Sequence, residues 1–233
     1  MTTAASSPAE PPARPPVTAT FRFVNAVVRA LMAVARVQLA VDGLETLPDR
    51  PGVILASNHL SFADPVLLAI VVHRAIGRRV RHMAKAEAVA LPVFGPLLRG
   101  YGGFAVRRGR PDREAYRMAN EVLAGGDWLG LAPEGTRSRT GTLGEPKPGV
   151  ALLALRSETE VVPVAVWGTD DLWPVGKPLP RPGKTVHIRF GAPYRMSVET
   201  AASGRHAALE AASDDLMRRI AELLPQRYRG RFG

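Results

Sequence analysis

Short strand-like runs recur along this chain at 52–57, 80–85, 102–106, 128–132, 161–167 and 185–190, with valine and isoleucine frequent at 52–57 and 161–167. Runs of that length, bounded by polar or turn-forming residues, read as buried strands. Between them lie stretches with helical spacing of apolar positions at 65–73, 112–124, 148–157 and 198–224, the last broken near Gly204. Gly125 and Gly126 supply a C-terminal stop for the second of these. Strands alternating with helices predict an α/β fold, a largely parallel central sheet flanked by helices. The stretch 170–184 is rich in proline and glycine and reads as a loop. No internal repeat is evident.

The N-terminal part follows a different pattern. Residues 1–20 are dominated by Pro, Ala, Ser and Thr, the composition of a disordered tail, and lack the basic start and apolar centre of a signal peptide. Residues 21–40 are mostly apolar, with Arg22, Arg29 and Arg36 seven apart and so close to one helical stripe, and with Asn25 beside them. Central arginines oppose a membrane-spanning role but suit an amphipathic helix lying in a bilayer interface. The domain plan is therefore a tail (1–20), an interfacial helix (21–40) and a folded domain (41–233). The alternative for 21–40 is an ordinary amphipathic helix packed on that domain.

Charge narrows the partners. The chain has 233 residues, enough for one domain with a sizeable core, and a formal net charge of +10. An anionic partner follows: a phospholipid surface, a phosphorylated substrate or nucleic acid. Aromatic residues are sparse and not interleaved with the arginine runs, so a base-stacking surface is unsupported. With no cysteine, a thiolate nucleophile, a disulfide framework and a cysteine-based zinc site are excluded. The 5 histidines show no metal-ligand spacing, and no metal or other cofactor is expected.

Two segments carry candidate chemistry. After the first apolar run comes Asn58-His59-Leu60-Ser61-Phe62-Ala63-Asp64. In a loop leaving a strand, the Asp64 carboxylate can orient one ring nitrogen of His59 and leave the other free to take a proton. Another reading treats Asp64 as the acidic N-cap of a helix opening at Pro65, with His59 in the core. Ser61 is placed for a loop or capping hydroxyl. The second segment, Ala132-Pro133-Glu134-Gly135-Thr136-Arg137-Ser138, joins an apolar run to a helix. Its N–H groups, hydroxyls and guanidinium could hold a phosphate, or it could be a surface turn. Both segments would lie at the carboxyl ends of strands, where such sheets bind ligands.

Together these segments resemble the lysophosphatidate acyltransferase family, within the glycerolipid acyltransferases. The blocks that match, in order, are Asn58 to Asp64, Gly103 to Gly109 with its arginine at Arg108, Pro133 to Ser138, and Val162-Pro163-Val164-Ala165-Val166. Arg107 stands where many relatives carry an acidic residue.

The resemblance implies a glycerol-3-phosphate acyltransferase-like fold. It also implies transfer of a fatty acyl group from acyl-CoA or acyl-carrier protein to the free hydroxyl of a lysophospholipid, with 1-acyl-glycerol 3-phosphate giving phosphatidate as the leading case. His59 is then the general base and Asp64 its orienting carboxylate. Arg108 and Arg137 are expected to hold the phosphate. Glu134 would brace them or contact the acceptor, Gly135 would allow close backbone approach, and Thr136 lies in the same loop. Lys85 is a candidate donor to the oxyanion. The expected location is the cytoplasmic face of the cell membrane, peripheral or monotopic, on an anionic surface and without nucleic acid. A sibling enzyme with another acceptor and a non-catalytic basic membrane module remain as alternatives.

Overall fold

The structure, a computed structural model, describes residues 17–92, 94–106, 113–177, 179–197 and 204–233. Its strands are β1 (Gln38–Asp42), β2 (Ile54–Ser57), β3 (Val80–Lys85), β4 (Gly103–Val106), β5 (Trp128–Leu131), β6 (Glu160–Trp167), β7 (Thr185–Phe190) and β8 (Tyr194–Arg195). They form one sheet in the order β1-β7-β6-β2-β5-β3-β4, with β8 pairing the start of β6. The central pairs β6–β2, β2–β5, β5–β3 and β3–β4 are parallel, and β7 runs antiparallel to β6. The expected fold class is what the chain adopts.

The helices are α1 (Ala19–Val34), α2 (Ala63–Ile76), α3 (Ala86–Val89), α4 (Phe94–Tyr101), α5 (Arg113–Ala124), α6 (Gly149–Ser157), α7 (Thr169–Leu172) and α8 (Gly204–Leu223). Alternate residues of β2 feed opposite layers, as strand geometry requires. Ile54 and Ala56 pack with Ala119 and Val122 of α5, Leu153 of α6, and Leu216 and Ile220 of α8. Val53 and Leu55 pack with Leu67, Leu68 and Val71 of α2 and with Phe21 of α1. Every residue of β2 and β5 is buried, which explains why both read as unbroken apolar runs rather than alternating ones.

The N-terminal expectations need correction. Residues 17–20 are ordered: the Thr18 hydroxyl accepts the Phe21 N–H at 3.1 Å and donates to Gly100 O at 3.2 Å, capping α1. Residues 1–16 lie outside the described set. The expected helix over 21–40 ends at Val34, because Arg36 takes a left-handed backbone (φ 51°) and the chain turns into β1, parallel to β7. Asn25 does not face outward with the arginines; its side-chain oxygen accepts the Tyr101 hydroxyl at 3.1 Å. Phe21 stacks on Tyr101 at 5.0 Å and meets His73 edge-on at 5.1 Å, so α1 docks on α2 and α4. Val24 and Met32 pack against the core, while Phe23, Val27, Leu31 and Val34 are exposed in one helical stripe. Among the described residues, no helix is long and apolar enough to cross a membrane.

Candidate active site

β2 and β5 lie side by side and parallel, so the loops leaving their carboxyl ends emerge together. Asn58 anchors the first loop to β6: its amide nitrogen donates to Val166 O at 2.7 Å and its oxygen accepts Val166 N–H at 2.8 Å. The next residue, His59, is gripped through its backbone by the second loop. Its N–H donates to Glu134 Oε1 at 3.1 Å, and its carbonyl accepts Ser138 N–H at 2.8 Å. The second oxygen of Glu134 accepts Gly144 N–H at 3.0 Å. Burial pushes the Glu134 carboxyl above its ordinary range, and those N–H donors pull back against it.

The loop from 59 to 64 closes on itself through Asp64. Its Oδ2 accepts Leu60 N–H at 2.7 Å, Ser61 N–H at 2.8 Å and His59 Nδ1 at 2.8 Å. α2 starts at Ala63 with Phe62 as its cap, so Asp64 lies in the first turn and reaches back over the loop instead of capping. Asp64 is therefore not the N-cap that the alternative reading made it, and its carboxylate instead meets the His59 ring. With Nδ1 held by Asp64, only Nε2 of His59 is left to accept a proton. The His59 side chain keeps 17% of its surface accessible, while that of Asp64 keeps 2%.

His59 opens into a cavity of about 570 Å³ whose walls come from β2, β3, β5, α5 and α6, including Met83, Tyr116, Leu131 and Leu153. His82 also lines it. Its ring lies over Gly130, where a Cβ would sit 2.2 Å from the imidazole Cε1, so glycine makes the room. Burial, and secondarily repulsion from His59, lower the His82 pKa to about 4, leaving a neutral ring beside the dyad at neutral pH. Among the described residues, no cluster of histidine and carboxylate side chains suits a metal ion.

A protein-family model described as Acyltransferase matches residues 38–167, which span β1 to the end of β6 and so hold both site loops. The chain belongs to the acyltransferase family. It also resembles individual members. It is 31% identical over 143 residues to the chloroplastic 1-acyl-sn-glycerol-3-phosphate acyltransferase of Arabidopsis thaliana, a match covering 60% of this chain and 38% of that one. It is 28% identical over 184 residues to the 1-acyl-sn-glycerol-3-phosphate acyltransferase of Pseudomonas aeruginosa, covering 76% and 68%. The matched part amounts to 38%, 39% and 60% of the length of three such relatives. The crystal structure of the 1-acyl-sn-glycerophosphate acyltransferase PlsC from Thermotoga maritima superposes with a TM-score of 0.65 at 25% identity, covering 87% of this chain and 79% of that one.

The expected site residues fare differently. His59 and Asp64 meet, and Glu134 and Gly135 stand beside them. Gly135 adopts φ 67° and lines the cavity with Lys147, whose Cδ would be 3.0 Å from a Cβ there. Arg137 lays its guanidinium 3.5 Å from the centroid of the Phe62 ring, three residues after His59. Thr136 is exposed. Each oxygen of Glu134 takes a backbone N–H group, from His59 and from Gly144. Lys85 is not brought to the cavity: it stands at the cap of α3, exposed, with its ammonium 3.7 Å from Glu87. Arg108 lies outside the described residues.

Asn58, His82 and Lys147 are cavity or loop residues to which sequence reasoning assigned no role. Only Lys147 left a signal, as a cation directly after the second loop.

Proposed function

We propose that this chain moves a fatty acyl group from acyl-CoA or acyl-carrier protein to the free hydroxyl of 1-acyl-glycerol 3-phosphate, giving phosphatidate. The observation that carries the reading is the His59 Nδ1–Asp64 Oδ2 contact at 2.8 Å, at the head of a large, mostly apolar cavity. Nε2 of His59 removes the hydroxyl proton as the oxygen attacks the thioester carbonyl. Asp64 holds the tautomer and stabilises the imidazolium. The tetrahedral intermediate collapses and expels the thiolate, which takes the proton back from His59. General-base assistance of this kind contributes roughly 10²–10⁴-fold. The substrate hydroxyl is the nucleophile, so a chain without cysteine suffices.

The phosphate of the acceptor is assigned to Arg137 and Lys147, with Arg108 as a further cation. Guanidinium forks suit phosphate oxygens. The apolar part of the cavity between α5 and α6 is assigned to the acyl chain. The basic, apolar N-terminal helix is assigned to an anionic membrane surface on the cytoplasmic face, peripheral or monotopic.

Thiol release from both donor types, measured with lysophosphatidate, glycerol 3-phosphate and other lysophospholipids as acceptors, tests this reading. Lysophosphatidate is expected to give the highest kcat/KM. A higher value for another acceptor replaces the substrate assignment, and no turnover with any of them removes the catalytic reading.

A further inference from the structure

The proline-rich stretch after α7 is not a slack loop. The Trp173 indole donates to Lys177 O at 2.8 Å, and Lys177 N–H closes a turn onto Pro174 O at 3.1 Å. Gly176 takes φ 83°, the left-handed backbone a type II turn needs at its third position. Arg181 N–H bonds Leu172 O at 2.7 Å, and Leu172 is buried. These bonds hold Val175 at the tip of a turn, 47% exposed, and Leu179 after it, 75% exposed. A mobile loop could fold two such side chains inward; this one must break its own hydrogen bonds to do so.

Two connections place the finger. Gly183 N–H donates to Ala35 O at 2.8 Å, joining its base to the end of α1, next to exposed Val34. Ser61 Oγ donates to Trp173 O at 3.0 Å, joining its other end to the catalytic loop, beside exposed Phe62. Residues 173–184 contain Lys177, Arg181 and Lys184 and no acidic residue, and the same absence of acid holds from 17 to 41. Isolated apolar side chains on a convex tip, set among cations, match a lipid leaflet with anionic headgroups, which needs no complementary pocket.

We infer that the finger formed by 173–177 and 179–184 is a second membrane contact, inserting Val175 and Leu179 into an anionic bilayer beside the active site. It deepens the membrane assignment of α1 proposed above and rests on it. Two contacts, one on α1 and one next to the catalytic loop, fix the orientation of the site on the surface, where a single helix would leave the domain free to swing.

The test is co-sedimentation of the full chain with vesicles of phosphatidylcholine and phosphatidylglycerol in equal parts, alongside a Val175→Ser/Leu179→Ser variant and a Phe23→Ser/Leu31→Ser variant. Both variants are expected to lose about tenfold in partitioning. In the wild-type protein, brominated lipids should quench a fluorescence component that Trp173→Phe removes, since Trp128 and Trp167 are buried. A finger variant that partitions like wild type while the α1 variant does not, or a Trp173 that bound vesicles leave unquenched, overturns this inference alone. Wild-type protein that ignores the vesicles overturns the membrane reading of α1 with it.

Discussion

Glu134 accepts the backbone N–H of His59 at 3.1 Å and that of Gly144 at 3.0 Å, so one buried carboxylate ties the His59 loop to the loop after β5. With Ser138 N–H on the His59 carbonyl, both polar groups of the histidine's main chain are committed to the second loop. The two motifs thus form one hydrogen-bonded unit, although 75 residues separate His59 from Glu134.

Removing that tie should cost both stability and turnover. Glu134→Ala leaves two N–H donors without their acceptor, each costing about 1–3 kcal/mol if it stays buried. Glu134→Gln keeps one acceptor oxygen and should fall between. The checks are the denaturant midpoint and kcat: Glu134→Ala should lower both, and Glu134→Gln should lower each by less.

His82 predicts an acid-side instability. Its folded pKa of about 4 lies below the ordinary imidazole value of 6.5, so the unfolded chain binds more protons between those pH values. The contribution is fully present above about pH 6.5 and is lost as pH falls through about 4, on the order of 3 kcal/mol. Replacing His82 with leucine should flatten stability against pH in that window. An unchanged slope for that variant in urea melts would show that His82 is not the group responsible.

The cavity should measure the acyl chain. Ala119 is fully buried and lines it from α5. Ala119→Leu fills part of the space, so kcat/KM for the longest acyl donors should drop about tenfold or more while short donors are spared. Overpacking should lower stability by about 1–3 kcal/mol. A uniform fall across chain lengths would place the acyl group elsewhere.

The C-terminal segment is part of the support. Leu143 N–H donates to Tyr228 O at 2.8 Å, next to the Gly144 that bonds Glu134, and a Cβ on Gly230 would lie 2.7 Å from Leu143 O. Gly230, at φ 55°, also has a backbone that other residues rarely adopt. Gly230→Val should therefore push this segment off the loop, lowering kcat with less effect on KM, together with a lower Tm.

Much of the fold was legible: β3 and β7 fall at the expected residues, and β2, β5 and β6 within two, with β2 and β5 buried throughout and so read as apolar runs. The pattern failed where apolar residues do not face a core. Val37 to Val41 continued the apolar run of α1, and nothing in that run marked the left-handed turn at Arg36 that starts β1. In the site, the His59–Asp64 contact was legible because the two residues lie only five apart, across the turn into α2. The role of Glu134 was not, since its partners are backbone N–H groups from distant loops, which leave no mark on side-chain identity. Lys85 shows the converse: a lysine at a strand end looked placed for catalysis, yet the chain turns there into α3 and carries it to solvent.

The central claim is that the His59 imidazole, oriented by Asp64, deprotonates the acceptor. The direct measurement is thiol release by purified wild-type and His59→Ala proteins from acyl-CoA and from acyl-carrier protein, with lysophosphatidate present and circular dichroism confirming equal folding. The expected result is robust release by the wild type and a fall of at least about 10²-fold in the variant. A folded His59→Ala protein that releases thiol at the wild-type rate would contradict the account.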